Sequence, residues 1–217
     1  MDDSMFLAIE TSSTICSVAI LNAKKCIAIK ESNSPMMHAE ILPIYVKEII
    51  QNSNIKADMI SAVAVSIGPG SFTGLRIGLS FAKGFAMAYN LPIIPVPTMQ
   101  SLAYGLQKEK PSQGLFYSHG EFIFYQKYIW ENNIPSFKEK PIIENGTKMI
   151  KKIKIDKNIF HWNCENFIKG LGNIILITPS AKLVGSLGVL LVDQLIKLKP
   201  YELEPEYIAP FRIGIKK

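Results

Sequence analysis

Short apolar runs broken by polar punctuation divide the first hundred residues into elements. Phe6 to Ile9, Ile15 to Leu21 and Cys26 to Lys30 are β-prone, separated by ETSST and by the turn-like Asn22 to Lys25, and they predict a three-stranded antiparallel meander. HAEILPIYVKEIIQ is predicted to be a helix, with Ser34 as its expected N-cap and Pro35 as its first helical residue. Pro43 lies inside it and is expected to kink it or remove one backbone hydrogen bond. AVAVSI, Ala62 to Ile67, is apolar almost throughout, which suits a strand covered on both faces. After a glycine-rich loop, Gly74 to Tyr89 predicts a helix capped by Ser71 or Thr73 and stopped at Asn90, Leu91 and Pro92. Pro92 to Val96 is a further buried strand and TMQSLAYGL a short helix. The order β-β-β-α-β-α-β-α is that of one compact unit.

Beyond Lys108 the pattern is less regular, with KEKPSQG as a linker. GLFYS and EFIFYQKYI flank Ser118-His119-Gly120 as a hairpin, Ile150 to Ile155 is expected to be a helix, NIILIT a strand, and Lys182 to Lys197 an amphipathic helix. The tail YELEPEYIAPF, acidic and aromatic with two prolines, is expected to lie extended across a surface. The expected division is therefore an α/β unit over residues 1–107 and a smaller, less regular one over 108–217. Two halves of similar size leave room for a divergent duplication.

A chain of 217 residues that is 48% hydrophobic can bury one generous core or two small ones. The net charge of +6 is carried almost wholly by lysine, since Arg76 and Arg212 are the only arginines. Scattered lysines make a solvated surface unless one face gathers them. The densest group, KMIKKIKIDK from Lys148 to Lys157, reads first as an exposed helix or strand edge and second as an RNA contact. Cys16, Cys26 and Cys164 have no CxxC spacing, which suits free thiols in a reducing compartment. MDDSMF is acidic where a secretory signal would be basic, and LVGSLGVLLV, Leu183 to Val192, is too short to span a bilayer. A cytoplasmic location without a membrane partner is expected.

SIGPGSFTGLRIG, Ser66 to Gly78, is the most conspicuous stretch, because a loop between a strand and a helix N-terminus can hold an anion. It lacks the Gly-Lys-Ser/Thr of a Walker loop, and Gly68, Gly70 and Gly74 have one residue too many for GxGxxG. A tight strand-to-helix turn, with Gly68 and Gly70 in unusual backbone conformations, is the favoured reading. In the helix that follows, Arg76, Ser80 and Lys83 form one narrow polar stripe while apolar and small residues fill the remainder, so it must be covered on more than its sheet side. Gly74 and Gly78 would let another backbone approach. The preceding helix, a partner subunit, or both could supply that cover.

No catalytic, cofactor-binding or metal-binding residue is assigned. His38 and Glu40 invite a metal reading, but position i+4 from His38 is Leu42, so the helical histidine pair is not there. His119 and His161 have no ligand set around them, and GPGSFTG is not a nucleophile elbow. Glu10 with Thr11 and Ser12 could contact phosphate and a metal-bound water; a turn satisfying its own backbone is slightly favoured.

LAIETSSTICSVAIL, HAEILP and AVSIGPGSFTGLRIGLSFAKGFAMAYNLPIIPVPTMQSLA closely resemble the TsaB (YeaZ, glycoprotease-like) family of tRNA threonylcarbamoyladenosine biosynthesis proteins. The resemblance is specific over about the first half. It implies two ribonuclease-H-like domains of the actin-like ATPase (ASKHA) fold group. It also implies a non-catalytic subunit, without cofactor, that activates a threonylcarbamoyl transferase acting on the adenosine next to the anticodon in tRNA. The implied partners are the catalytic subunit TsaD and an associated ATPase subunit TsaE, with a homodimer when alone and tRNA engaged only through the complex. Two helices would pair with the same two helices of the partner as a four-helix bundle, at an interface of Glu40, Ile44, Lys47, Arg76, Leu79, Ser80 and Lys83. The alternative is a metal-dependent glycoprotease-type peptidase or an ATPase. Three departures from the family pattern bear on ligands: Glu10 replaces the usual aspartate, Phe116-Tyr117-Ser118 stands where relatives often have Asp-Ala-Arg, and HWNCEN, His161 to Asn166, replaces a glycine-rich turn.

Overall fold

The computed structural model describes residues 4–153, 158–172 and 174–208. The first half runs β1 (Met5–Glu10), β2 (Ile15–Leu21), β3 (Cys26–Asn33), α1 (His38–Asn52), a 3₁₀ turn at Ala57–Met59, β4 (Ile60–Gly68), α2 (Phe72–Ala88), β5 (Ile93–Pro97) and α3 (Thr98–Gly105). The second half runs β6 (Gln113–His119), β7 (Phe122–Lys127), β8 (Ile129–Glu131), β9 (Ile134–Ser136), β10 (Ile142–Asn145), α4 (Gly146–Lys152), β11 (Ile159–Trp162), α5 (Glu165–Ile168), β12 (Ile175–Leu176), α6 (Ala181–Leu190), α7 (Val192–Leu195) and a 3₁₀ turn at Pro200–Glu202.

The two five-stranded sheets have the same plan. The first has the order β3-β2-β1-β4-β5 and the second β10-β7-β6-β11-β12. In each, the first three strands form an antiparallel meander and the last two join parallel to the first. The ribonuclease-H-like arrangement is therefore present twice, as in the actin-like ATPase fold group.

Hydrophobic patterning explains the layers. β2 is buried at every position because both faces of the first sheet are covered, whereas edge strand β3 alternates with a period of two. On one face Leu7, Ile9, Val18 and Ile20 meet Leu42 and Val46 of α1 and Leu79, Ala82 and Ala86 of α2. On the other, the small residues Ala8, Ala19, Ala62 and Ala64 admit α6, whose Ala181, Val184 and Leu187 complete a second cluster. Ser17 Oγ accepts from the Ala181 amide at the start of that helix. The third helix of each half packs on the opposite sheet, since Met99, Leu102 and Ala103 of α3 lie against Phe116, Phe124 and Phe160 of the second. α3 and α6 also touch each other between the sheets.

Helix α1 begins later than expected. Ser34 donates its amide to the Thr14 carbonyl and shares a hydroxyl contact with Ser32, so it anchors the end of β3 instead of capping a helix. Pro35 consequently sits in a turn, Met36 has φ 64°, and the helix continues through Pro43 on its exposed side. The helix expected over 182–197 divides at Leu191 into α6 and α7. α4 starts at Gly146 because the Asn145 side chain accepts from the Lys148 amide. The last residues of the helix expected over 150–155, and of the lysine run ending at Lys157, lie outside the described residues, as do Asn173, residues 209–211 of the tail, and Arg212.

Burial assigns the two faces of α2 different energies. Leu79→Ala is expected to cost about 2–5 kcal/mol in urea unfolding, from lost transfer and a residual cavity, while Ser80→Ala should fall within about 0.5 kcal/mol of the parent. Equal costs at the two positions would contradict this placement of the helix.

Candidate partner-docking face and adjoining cleft

The glycine loop is folded against the turn between β1 and β2. The Ser71 amide donates to the Ser12 carbonyl at 2.6 Å, and the Ser71 hydroxyl caps α2 by accepting from the Gly74 amide at 3.2 Å. Thr11 Oγ1 donates to the Gly74 carbonyl at 2.8 Å. A Cβ at Gly70 would lie 2.4 Å from the Ser12 carbonyl oxygen, one at Gly74 2.0 Å from that of Thr11, and one at Gly78 2.1 Å from Thr11 Oγ1. Gly74 and Gly78 therefore admit the chain's own Thr11, not another subunit's backbone. The amide of the cap residue Ser71 and that of Gly74 in the first turn of α2 are both engaged here, which is the tight-turn reading of the loop.

Glu10 at the end of β1 is fully enclosed. Its Oε1 accepts from the Ser12 amide, while Oε2 and the hydroxyl oxygens of Ser12 and Ser66 have no hydrogen-bond partner among the described residues. Burial raises the Glu10 pKa, opposed by the Ser12 amide that donates to Oε1. Burial, with a contribution from Glu10, also pushes the Cys16 thiol up to about 12, so it is a poor source of thiolate.

Over this floor opens a cleft of about 490 Å³ between the halves. Ser12, Ser13, Thr14, Ser71 and Thr73 line one side, and Phe116, Tyr117, Ser118, Trp162 and Asn163 the other. Phe116-Tyr117-Ser118 and the Trp162-Asn163 part of HWNCEN thus both contribute to its wall. The histidines serve packing and backbone. His38 Nε2 lies 3.1 Å from the Ile15 carbonyl oxygen, His119 stacks on Phe122, and His161 Nδ1 accepts from the Cys164 amide. Burial lowers the pKa of His161 and pushes the Cys164 thiol up to about 12. Among the described residues no group of three or more His, Cys, Asp or Glu side chains could hold a metal ion, and no helix is long and apolar enough to cross a membrane.

Outward from the first sheet, α1 and α2 pack side by side. Glu40, Ile44 and Lys47 of α1 are exposed, as are Arg76 and Ser80 of α2. Ile44 is 51% and Met87 66% accessible, and Thr73, Ser80, Gly84 and Ala88 form a stripe of small side chains along the top of α2. Leu79 does not belong to this face. It is 3% accessible and points into the core, because position 79 falls on the same side of the helix as Leu75, Ala82 and Ala86. Lys83 is half-buried and donates to the Tyr201 carbonyl at 3.2 Å. The Arg76 guanidinium lies 3.8 Å from the Phe72 ring centroid and donates to the Tyr207 hydroxyl at 2.8 Å. Sequence reasoning missed Phe72, Gly84 and Met87 as members of the face, and it found the tail without placing it beside α2.

A duplicated actin-like fold with a tightly packed glycine turn and an exposed helix pair defines the class. The sequence model of the TsaD family, tRNA N6-adenosine threonylcarbamoyltransferase, matches residues 32–129. The tRNA threonylcarbamoyladenosine biosynthesis protein TsaB of Buchnera aphidicola subsp. Schizaphis graminum is 30% identical over 156 residues, 70% of each chain. TsaB of Haemophilus influenzae is 37% identical over 103 residues, 48% of this chain and 43% of that relative, so this match spans less than half of the relative's length. The solved structure of YeaZ from Pseudomonas aeruginosa superposes with a TM-score of 0.80 at 20% identity, covering 94% of this chain and 99% of that one. The chain belongs to the TsaB family.

The raised pKa of Glu10 gives a signed expectation. A carboxyl that keeps its proton when folded but loses it when unfolded contributes stability below the ordinary carboxylate range, and that contribution is lost as pH rises through the folded value. Glu10→Gln keeps an acceptor for the Ser12 amide and removes the charge. It should raise the Tm at pH 8 by about 2–4 °C, equivalent to roughly 1 kcal/mol, and flatten the fall in stability above pH 5; an unchanged profile would show that the carboxyl is ionised in the folded state.

Proposed function

We propose that the chain is a non-catalytic subunit that docks onto the catalytic threonylcarbamoyl transferase through α1 and α2. It thereby supports threonylcarbamoyl transfer to the adenosine next to the anticodon in tRNA. The supporting observation is the exposed apolar and small side chains of the helix pair: Ile44 on α1, and Met87 with the small-residue stripe on α2, all in the segment matched by the transferase family. Small side chains let a facing helix pack at the short end of the usual 8–10 Å interaxial range, and large accessible apolar groups mark contact surfaces more often than isolated ones do. Glu40, Lys47 and Arg76 rim the contact, Ser80 lies within it as part of the small-residue stripe, and Lys83 borders it through the tail. Residues 1–107 carry the docking function and 108–217 form the second actin-like unit, which supports the first through α6.

In this reading the chain acts in the cytoplasm, reaches tRNA only through the transferase, works with an associated ATPase subunit, and pairs with a second copy when no transferase is present. The packed contact of Thr11 and Ser12 with the loop, and Leu42 at the position where a second histidine would stand, favour an accessory role over a peptidase or ATPase.

Reconstitution tests this. The chain and the transferase together should modify tRNA while either alone does not. Ser80→Glu, which would desolvate a charge in the contact, should lower modification at least tenfold with the Tm unchanged. Full-rate modification by the transferase alone, or ATP turnover or peptide cleavage by the isolated chain, would overturn the proposal.

A further inference from the structure

The tail is a built element of the α2 surface. The Glu206 amide donates to the Ile67 carbonyl at 2.8 Å, beside Gly68, whose φ of +122° and lack of a Cβ leave room for the Glu206 carbonyl. The Tyr207 ring centroid is 4.7 Å from that of Phe72, with Arg76 bonded to its hydroxyl. Leu203 packs into the core cluster beneath α1 and α2, and the Tyr201 carbonyl receives Lys83. These contacts come from four places along the tail, so it follows α2 as a strap.

The strap also changes the chemistry of this flank. Arg76 and Lys83 are the only charged residues of α2, and both are engaged by the strap. Leu203 and Pro205 are half-buried while Glu202, Glu204 and Glu206 are exposed, and Glu202 pairs with Lys199 at 3.9 Å. A strap of mixed charge suits a protein surface better than a nucleic-acid backbone. Tyr201 is 61% accessible, and its carbonyl is held by Lys83, which lies one helical turn before Met87 on α2. An amphipathic aromatic fixed by its backbone is the kind of group that anchors protein contacts.

Resting on the docking reading above, we infer that the strap is a third wall of the docking face, with Tyr201 contacting a transferase-type polypeptide that carries the same helix pair. The transferase family model covers both α1 and α2, which supplies the like helices on the partner side.

The test compares the full chain, Tyr201→Ala, Tyr201→Phe and Ser80→Glu for binding to purified transferase by calorimetry, with Tm and self-association measured in parallel. Tyr201→Ala retains the carbonyl that receives Lys83, so the strap should stay docked. Its Kd for the transferase should rise about tenfold with the Tm unchanged, and Tyr201→Phe should bind as the parent does. If Ser80→Glu loses binding while Tyr201→Ala does not, the strap inference falls and the docking reading stands; if neither variant loses binding, both fall. A several-degree fall in the Tm of Tyr201→Ala would make the ring a fold contact, and weakened self-association without weakened transferase binding would make the occupant a second copy. Either result overturns the inference.

Discussion

The close seating of Thr11 on the first two turns of α2 is the constraint on which the rest depends. Without side chains at positions 70, 74 and 78, the turn after β1 approaches the helix until Thr11 Oγ1 bonds the Gly74 carbonyl. This fixes the rotation of α2. With Gly74 and Gly78 turned to Thr11, and Leu75, Leu79, Ala82 and Ala86 turned inward, Ser80 and Gly84 face outward. The contact that closes the floor of the cleft therefore also decides which side of the helix a partner can meet.

The duplicated topology shows where the halves have diverged. Helices after the third and fourth strands run 15 and 17 residues in the first half, but 7 and 4 in the second. The short pair still covers its sheet, with Met149 of α4 in the cluster that holds Leu115 and Ile123. Covering one sheet face does not demand long helices here. The extra length of α1 and α2 extends a surface instead, while the exchange of α3 and α6 between sheets holds the two halves in one body.

Much of the first half was legible because its elements are long enough for periodicity to repeat, as in β2, α2 and the apolar run of β4. The second half was read less well. β10 and β11 are four residues each and too short to establish alternation, and β8 and β9 are joined by Asn132 and Asn133, both at positive φ, a hairpin signal that was overlooked. The start of α1 was misplaced because Ser34 has the composition of a cap, whereas its actual partners, Thr14 and Ser32, are tertiary. Leu79 was misassigned for a related reason. When nearly every side of a helix is apolar, periodicity cannot tell which side faces the sheet, and here the rotation is set by Thr11, more than 60 residues earlier by the separation of 63 in its bond to Gly74.

The strap carries the same lesson to the other end of the chain. Gly68 looks from sequence like a turn residue, and its φ supports that, yet the space its missing Cβ leaves is taken by the Glu206 carbonyl. Arg76 likewise reads as a rim cation, but its planar group rests on Phe72 and bonds Tyr207. Both residues acquire their environment from a segment about 130 positions away, as the separation of 131 between Arg76 and Tyr207 shows. Changes in the strap must therefore act on α2 through geometry as well as charge, because Tyr207 and Phe72 together fix the Arg76 guanidinium one helical turn before Ser80 on the outward face.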